Sequence, residues 1–402
     1  MTYPSASFRS LLVVATWGLS LALAPCTPAK TPEARLAPND AAIGARVGAS
    51  VAVEKDLVVL GAPDDDEAGP FAGAVYVFAR HGQTWQKQAK LLGRTTDGFR
   101  AFGEAVAVSR DVIVVGAPFD GGDASGAVYV YARKGNRWIE QARLVPGDSA
   151  PNQLFGDAVA VDGNTLVVGA FLDGQRAPNA GAVYVFTRTG NTWSQRAKLT
   201  ASDASEYAFF GSALAIKGQT VVVGSPIAQT AYVFSGHKGN WTEQAILHAP
   251  DADVSTYTAF GAAVALDGST IAIGAPMDAP FAPKTGSVYT FKAKAGGWVQ
   301  QSKLSASDAA GEDEFGTSVA VEGNRIAVGA PYHDSSNNGA LYLFTAQGTR
   351  WRETEIITGE PPTAFLGSSV ALTAKTLVGG APAFVDYTGL QSAGAGYVFP
   401  TR

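Results

Sequence analysis

The chain has 402 residues, of which 46% are apolar and 16% charged, with 46 Gly, 21 Pro and a formal net charge of −5. This composition is typical of a turn-rich, well-packed all-β protein and not of a disordered chain. The small acidic excess offers no basic surface for a phosphate backbone, so nucleic acid is not an expected partner.

The N-terminal segment predicts an export signal over residues 1–26, followed by a short linker over residues 27–32. Arg9 precedes the apolar run LLVVATWGLSLALA, which is too short for an ordinary transmembrane helix. Cys26, the only cysteine, follows in LAPC, which resembles a bacterial lipobox in which the thiol is acylated. Pro25 stands where a lipobox usually has Gly or Ala, so ordinary secretion is the alternative. A lipid on Cys26 is the only membrane attachment that we predict.

From residue 33 onwards, one phrase recurs seven times. Its clearest copy is FGEAVAVSRDVIVVGAP (residues 102–118), in which Phe-Gly opens one apolar strand and Gly-Ala-Pro ends a second. Copies begin near residues 47, 102, 155, 210, 260, 315 and 365. The signature residues are Gly48, Phe102, Gly103, Phe155, Gly156, Phe210, Gly211, Phe260, Gly261, Phe315, Gly316 and Gly367. A fixed period of about fifty residues predicts a single repeat domain over residues 33–402.

Each repeat predicts four strands. The segment EAVAV alternates with period two, a short turn such as DGNT follows, and a denser apolar run leads to Gly-Ala-Pro. GAVYVF predicts the third strand, and a tryptophan segment such as WQKQAKL predicts the fourth. We expect the repeated tryptophans to pack between blades rather than to stack on sugars. They are Trp85, Trp138, Trp193, Trp241, Trp298 and Trp351.

A four-stranded sheet with two apolar faces cannot bury either face alone, whereas stacking such sheets around an axis buries both. The sequence therefore predicts an all-β, seven-bladed β-propeller of antiparallel blades. The seventh copy ends without its tryptophan segment. EARLAPNDAA (residues 33–42) matches the fourth-strand segment QARLVPGDSA (residues 141–150), so the N-terminal strand is expected to complete the last blade and close the ring.

The paired FG and GAP phrases resemble the FG-GAP repeat family, which is known from the seven-bladed head of integrin alpha subunits and is abundant among exported bacterial proteins. The resemblance covers residues 33–399, and the wording QAKLTASD is similar to the bacterial branch. It implies a non-enzymatic, exported binding or adhesion module. The acidic hairpin that binds calcium in integrins is replaced here by short turns such as DGN and KGQ, which lack the oxygen ligands that calcium needs.

In such a blade, the loops between strands two and three and the links from strand four to the next strand one emerge on one face, here called the upper face. Acidic residues strongly outnumber basic ones in these segments. The candidate Ca²⁺ ligands are Asp64, Asp65 and Asp66 in DDDE, and Asp308 and Asp313 in SDAAGEDE. The alternative is that these acids keep long loops solvated and cap turns.

Two functions remain open from the sequence. The first is an exported binding module that presents variable acidic upper loops to a protein, a glycan or a cation. The second is an envelope enzyme, a lyase or hydrolase, with a site at the propeller channel. Such an enzyme needs a convergent nucleophile, acid–base pair or metal. No catalytic residue set emerges from the sequence, so we predict no catalytic residues and Ca²⁺ as the only candidate cofactor.

Overall fold

The computed structural model describes residues 30–93, 99–237, 239–251, 256–359, 365–382 and 392–401. These residues form seven four-stranded antiparallel sheets arranged as blades of a ring, which confirms the predicted all-β, seven-bladed propeller. The described part of the chain holds no helix with the length and hydropathy needed to cross a membrane. The predicted export signal and Cys26 lie outside these ranges and stay predictions.

The strands of blades 1 to 4 follow each other along the chain. Blade 1 contains β2 (Val51–Glu54), β3 (Leu57–Ala62), β4 (Ala74–His81) and β5 (Thr84–Leu92); blade 2 contains β6 (Val106–Ser109), β7 (Val112–Ala117), β8 (Ala127–Lys134) and β9 (Arg137–Leu144). Blade 3 contains β10 (Val159–Asp162), β11 (Thr165–Ala170), β12 (Ala182–Thr189) and β13 (Thr192–Leu199); blade 4 contains β14 (Ala213–Lys217), β15 (Thr220–Ser225), β16 (Thr230–His237) and β17 (Asn240–Leu247).

Blades 5 and 6 repeat this order, and blade 7 takes its fourth strand from the N-terminal end. Blade 5 contains β18 (Ala263–Asp267), β19 (Thr270–Ala275), β20 (Ser287–Lys294) and β21 (Gly297–Leu304); blade 6 contains β22 (Ser318–Glu322), β23 (Arg325–Ala330), β24 (Ala340–Gln347) and β25 (Arg350–Thr358). Blade 7 contains β26 (Ser369–Leu372), β27 (Thr376–Ala381), β28 (Ala395–Pro400) and β1 (Ala34–Leu36).

The apolar core lies between neighbouring blades. Every residue of β7 is buried, because both faces of the second strand are covered by the adjacent sheets. Phe102 shows how the signature contributes: its ring packs edge-on against Tyr129 of its own blade, with ring centroids 5.4 Å apart. The same cluster contains Val59 and Val77 of blade 1. Each signature phenylalanine therefore seals a blade against its predecessor.

The glycines of the Phe-Gly and Gly-Ala-Pro phrases pack against each other, both within a blade and between neighbouring blades. Gly103, with a φ of 97°, donates its N–H to the carbonyl of Gly116 in the same blade over 2.9 Å. The carbonyl of Gly103 also lies against Gly61 of blade 1, where an added Cβ would be only 2.0 Å away. A side chain at either position is therefore incompatible with this packing, which explains why glycine recurs at both positions.

A bulge on the fourth strand connects the outer edges of the blades. Val77 pairs with Ala89, and Phe78 pairs with Lys87. Gln88 of β5 therefore has no opposite residue on β4. A bulge redirects a side chain, and here Gln88 accepts a hydrogen bond from Trp138 of blade 2 over 3.0 Å. Gln141 and Trp193 repeat the contact between blades 2 and 3. All six repeat tryptophans belong to or border clusters between blades, as predicted.

The ring is closed by the N-terminal strand. β1 pairs antiparallel with β28, with Ala34 opposite Val398 and Leu36 opposite Gly396. Glu33 adds a backbone hydrogen bond of 2.7 Å to Val398. The predicted closure is confirmed, and the two ends of the described chain meet in blade 7.

Candidate functional site

The upper face contains a buried ion-pair network that recurs from blade to blade. In blade 1, Asp65 follows strand two and is only 1% exposed. Its carboxylate accepts a hydrogen bond of 2.7 Å from the Tyr76 hydroxyl and contacts the Lys90 ammonium at 2.9 Å. The ammonium also lies 5.0 Å from the centre of the Tyr76 ring. The loop after strand two, strand three and strand four each supply one member, so the network fixes the upper end of the blade.

Three further blades contain the same trio of acid, tyrosine and base. The trios are Asp120, Tyr129 and Arg143 in blade 2; Asp173, Tyr184 and Lys198 in blade 3; and Asp278, Tyr289 and Lys303 in blade 5. Burial, and then the neighbouring carboxylate of Asp120, raises the pKa of Tyr129 to about 12. The tyrosines of these trios therefore stay protonated and serve as hydrogen-bond donors at neutral pH.

In blades 3 and 5, the base also holds the link that enters the blade. Lys198 contacts Asp148 at 2.7 Å, and Lys303 contacts Asp251 at the same distance. Burial alone would raise the pKa of Asp148, but hydrogen bonds from Lys198 and Tyr184 together with the lysine charge lower it below its usual range. The network therefore fixes both the loop and the link of the upper face.

Blades 4 and 6 lack this trio. Ile246 and Ile356 occupy the position of the base, five residues after the tryptophan, and Ala228 and His333 occupy that of the acid. The tyrosine hydroxyls instead donate to acids of the incoming links. Tyr232 donates to Asp203 over 2.8 Å, and Tyr342 donates to Asp308 over the same distance. Acid and base are thus absent together.

The first group of candidate calcium ligands is already paired with basic side chains. Asp64 accepts a 2.6 Å hydrogen bond from Arg46, and Asp65 contacts Lys90. Asp66 is exposed. An arginine and a lysine therefore occupy the places where a cation would neutralise Asp64 and Asp65.

The second group lies in the link that enters blade 6, whereas the first lies in the loop after strand two of blade 1. Asp313 is buried and accepts a 2.8 Å hydrogen bond from the backbone of Ala310, while His333 lies 3.4 Å from the same carboxylate. Asp308 lies 3.9 Å from the other ring nitrogen of His333. Within the described residues, no group of three or more His, Cys, Asp or Glu side chains has a geometry suited to a metal ion. Calcium at either group stays a prediction.

The strand-four bases are the functional feature that sequence reasoning missed. A charge count confined to loops and links makes the upper face strongly acidic, but Lys90, Arg143, Lys198 and Lys303 reach it from strand four. The signal was present, since each base follows a repeat tryptophan by five residues in the sequence. The acidic surplus of the upper face is therefore smaller than the loops alone indicate.

The upper face also collects exposed apolar side chains. Among the described residues, eleven large apolar side chains are exposed, and only Ile139 and Val299 of these lie on a strand. The other nine lie in upper loops and links. They are Ile43, Phe71, Phe99, Val145, Tyr207, Ile227, Tyr257, Phe281 and Tyr332. Sequence reasoning missed them because they occupy no constant position in the repeat.

Some of these side chains form aromatic clusters that cross from one blade to the next. Phe99, in the link into blade 2, has its ring centroid 5.9 Å from that of Phe71 and 4.5 Å from that of Phe119. Tyr332 and Phe365 form a similar contact at 5.5 Å between blades 6 and 7. The upper face therefore combines acidic side chains that are paired with bases and aromatic rings that are exposed.

Comparison with known proteins agrees with this architecture. A family model described as FG-GAP repeat matches residues 31–78, 85–131, 138–186, 193–234, 241–291 and 298–344. Each matched segment runs from the fourth strand of one blade to the third strand of the next. Integrin alpha-6 of Gallus gallus is 34% identical over 114 residues, which are 26% of this chain and 10% of that protein. Since the family model matches well over half of the sequence, the chain belongs to the FG-GAP repeat family.

Proposed function

We propose that the protein is an exported, non-enzymatic binding module whose upper face binds a protein partner. The observation that carries this proposal is the concentration of exposed aromatic and aliphatic side chains on that face. Large exposed apolar patches often mark interaction sites, and interface cores are rich in aromatic residues and poor in Lys, Glu and Asp. The ring holds the loops that carry these side chains next to each other, which lowers the cost of ordering them on binding.

The ion-pair network supports a partner that need not be strongly basic. Asp120 and Asp173 are buried and already neutralised by strand-four bases. The side chains that remain available to a partner are the aromatic clusters and the exposed acids around them. Burial of Phe71 and Phe99, which are 52% and 49% exposed, would supply apolar contact area at the junction of blades 1 and 2.

The family supports a binding role more than a catalytic one. The similarity of part of this chain to integrin alpha-6 supports a binding or adhesion role, and the predicted signal at residues 1–26 supports export. The absence of catalysis is part of the proposal, because a propeller fold alone does not fix function.

The test is affinity capture of partners from an envelope extract, using the tagged full chain and two exposed-surface variants. The upper-face variant combines Phe71→Ser, Phe99→Ser and Tyr332→Ser. The matched control combines Ile139→Ser and Val299→Ser, which change side chains of similar exposure on the outer strands of blades 2 and 5. We expect a specific partner to be lost with the upper-face variant and retained with the control.

Retention of every partner by a folded upper-face variant would reject the proposed surface. Capture in the presence of a chelator adds a second comparison. If the partner is lost on chelation and the loss is reproduced by Asp308→Asn with Asp313→Asn, calcium at those predicted ligands takes part in binding. Turnover of an envelope substrate by the pure chain would reject the non-enzymatic part of the proposal.

A further inference from the structure

We propose that the lower face of the ring docks on an anionic membrane surface. The lower face consists of the inner turns, which join strands one and two, and the outer turns, which join strands three and four. It lies opposite the upper face, so the proposal does not depend on the protein partner proposed above. It is supported by the charge and the level of the outer turns, by the placement of exposed apolar side chains and by the point where the chain enters the ring.

The outer turns of blades 1 to 6 contain Lys and Arg but no Asp or Glu. They cover residues 79–84, 132–137, 187–192, 235–240, 292–297 and 345–350. Two of their bases are paired with acids of other segments, Arg80 with Glu33 and Arg188 with Asp111. The exposed bases that form no ion pair among the described residues include Lys134, Arg137, Lys294 and Arg350. Since the whole chain has a net charge of −5, these turns concentrate positive charge on one rim of the ring.

The inner turns carry charges of both signs, but their acids lie inside this rim. Asp162 accepts a hydrogen bond of 2.7 Å from the backbone N–H of Gly218, and Asp267 accepts one of the same length from Gly323. These two carboxylates therefore connect neighbouring blades. Other acids surround the lower mouth of the channel: Glu54, Asp56 and Glu322. The outer turns thus present the positive charge of the lower face.

The outer turns also end at one level. In each of blades 1 to 6, two residues separate the last paired residues of strands three and four, as between His81 and Thr84 or between Lys294 and Gly297. The upper loops, by contrast, differ in length from blade to blade. Turns of equal length on equivalent strands form a level rim, and a level rim of bases matches the plane of phosphate groups at an anionic membrane surface.

The exposed large apolar side chains do not lie in these turns. Among the described residues, nine of the eleven lie in upper loops and links, and Ile139 and Val299 lie within strand four. The cores of protein interfaces are rich in aromatic residues, whereas attraction to anionic headgroups needs only Lys and Arg near the surface. The lower face therefore fits a membrane surface better than it fits a protein interface.

The chain enters the ring on the same face. β28 is a third strand, so it runs from the upper to the lower face and ends at Pro400, and β1 runs antiparallel to it. Lys30 donates to the Pro400 carbonyl over 2.8 Å, which places the entry point at the lower edge of blade 7. Cys26 lies four residues earlier in the sequence, and four extended residues span at most about 14 Å. A lipid on Cys26, where we predict it, would therefore hold the lower face close to the membrane.

The test is co-sedimentation with vesicles of phosphatidylcholine alone and of phosphatidylcholine mixed with phosphatidylglycerol. All described strands lie within residues 34–400, so the chain used starts at residue 27 and lacks both the apolar run and Cys26. We expect binding only to the vesicles with phosphatidylglycerol, and weaker binding at higher salt because exposed charges are screened. Each Lys or Arg near such a surface contributes about fivefold in affinity, so Lys134→Gln with Arg137→Gln should weaken binding by at least about tenfold.

The matched control is Arg176→Gln with Lys284→Gln, which removes the same charge from exposed positions in upper loops. It should change binding by less than about twofold, because charges more than about 8 Å from a surface are largely screened. A second lower pair, Lys294→Gln with Arg350→Gln in blades 5 and 6, should weaken binding as the first pair does, since a level rim presents both pairs to the membrane.

Orientation is measured with a fluorescent label, because the chain from residue 27 contains no cysteine. A label on Asn136→Cys, in an outer turn, should be quenched by a lipid that carries a quencher on its headgroup. A label on Ser335→Cys, in an upper loop, should not be quenched.

Four results would overturn the proposal: binding that does not require phosphatidylglycerol, undiminished binding in either lower pair, an equal loss in the control pair, or quenching of the upper label instead of the lower one. Binding to heparin but not to the vesicles would also overturn it, because the partner would then be a soluble polyanion. Loss of the protein partner proposed above would change none of these outcomes.

Discussion

Blades 3 and 4 share one backbone but differ in how they fill the space above the third strand. Both pair strand three with strand four through the same bulge, after Val185 in one and after Val233 in the other. Blade 3 places Asp173 and Lys198 beside its tyrosine, whereas blade 4 has Ala228 and Ile246 at those positions. The acid and the base are replaced together by apolar residues, because either one alone would be a buried charge without an oppositely charged partner. The backbone repeats strictly, while the polar network is present or absent as a unit.

The largest expected effect on stability comes from removing the fourth strand of blade 7, which the other blades would keep. Deletion of residues 33–42 removes β1 and leaves β28 as an open edge. Since closure involves both a strand and the packing of blade 7 against blade 1, we expect a loss comparable with the whole free energy of unfolding of a typical domain, about 5–15 kcal/mol. Chemical denaturation monitored by tryptophan fluorescence would measure it. A deletion variant with wild-type stability would contradict ring closure by β1.

Removal of one member of the blade 3 network should have the next largest effect. Lys198→Met leaves the carboxylate of Asp173, which is 1% exposed, without its cation. We expect unfolding to become easier by about 3–5 kcal/mol, as for other broken buried ion pairs. The double variant Asp173→Ala with Lys198→Met imitates blade 4 and should recover much of this loss in urea denaturation. If the double variant is less stable than the single one, acid and base do not form one unit.

The central channel gives a smaller and pH-dependent effect on stability, because Glu104 of blade 2 and Asp157 of blade 3 are the only carboxylates among the described residues that line its upper end. The pKa of Asp157 is raised from 3.8 to about 7, so the unfolded chain releases this proton at lower pH than the folded chain. The wild type should therefore lose stability as the pH rises from about 4 to 7. Asp157→Asn should be more stable than the wild type at pH 8 by about 1–3 kcal/mol. The difference should vanish below pH 4 in the same unfolding assay.

The smallest effect should come from adding a base to blade 4. Ile246→Lys places an ammonium where Lys198 stands in blade 3, close to the pair formed by Asp203 and Tyr232. Because the new charge meets a link acid but no loop acid, we expect a change within about 1 kcal/mol in either direction. The matched change Ala245→Lys, whose side chain packs against the apolar cluster between blades 4 and 5, should cost clearly more. Equal costs for the two variants would show that the upper end of blade 4 does not accept a base.

The ring was predictable from the sequence because its determinants are local and repeated. Phe102 and Gly103 recur with their flanking strands, and the match of EARL to QARL identifies the closing strand before any contact is known. The ion-pair network was not predicted because its members, such as Asp65 and Lys90, lie 25 residues apart on different strands. They meet only after three strands have paired in register.

The channel and the apolar surface escaped prediction for a related reason. Asp157 follows Phe-Gly as Glu104 does, but the channel that both residues line forms only when all seven blades are assembled. Phe99 and Tyr332 occupy irregular positions in loops of unequal length, where periodicity gives no information. Their clustering follows from the curvature of the ring, which brings successive loops side by side.

The closing strand has a consequence for the order of folding. β1 is synthesised first and its partner β28 last, and the side chains of Arg35 and Tyr397 that meet there are 362 residues apart in sequence. Bringing such distant segments together carries a large loop-closure entropy, and contacts of this separation form late. Intermediate lengths of the nascent chain therefore expose an unpaired blade edge, and the seventh blade can be completed only after β28 has been synthesised.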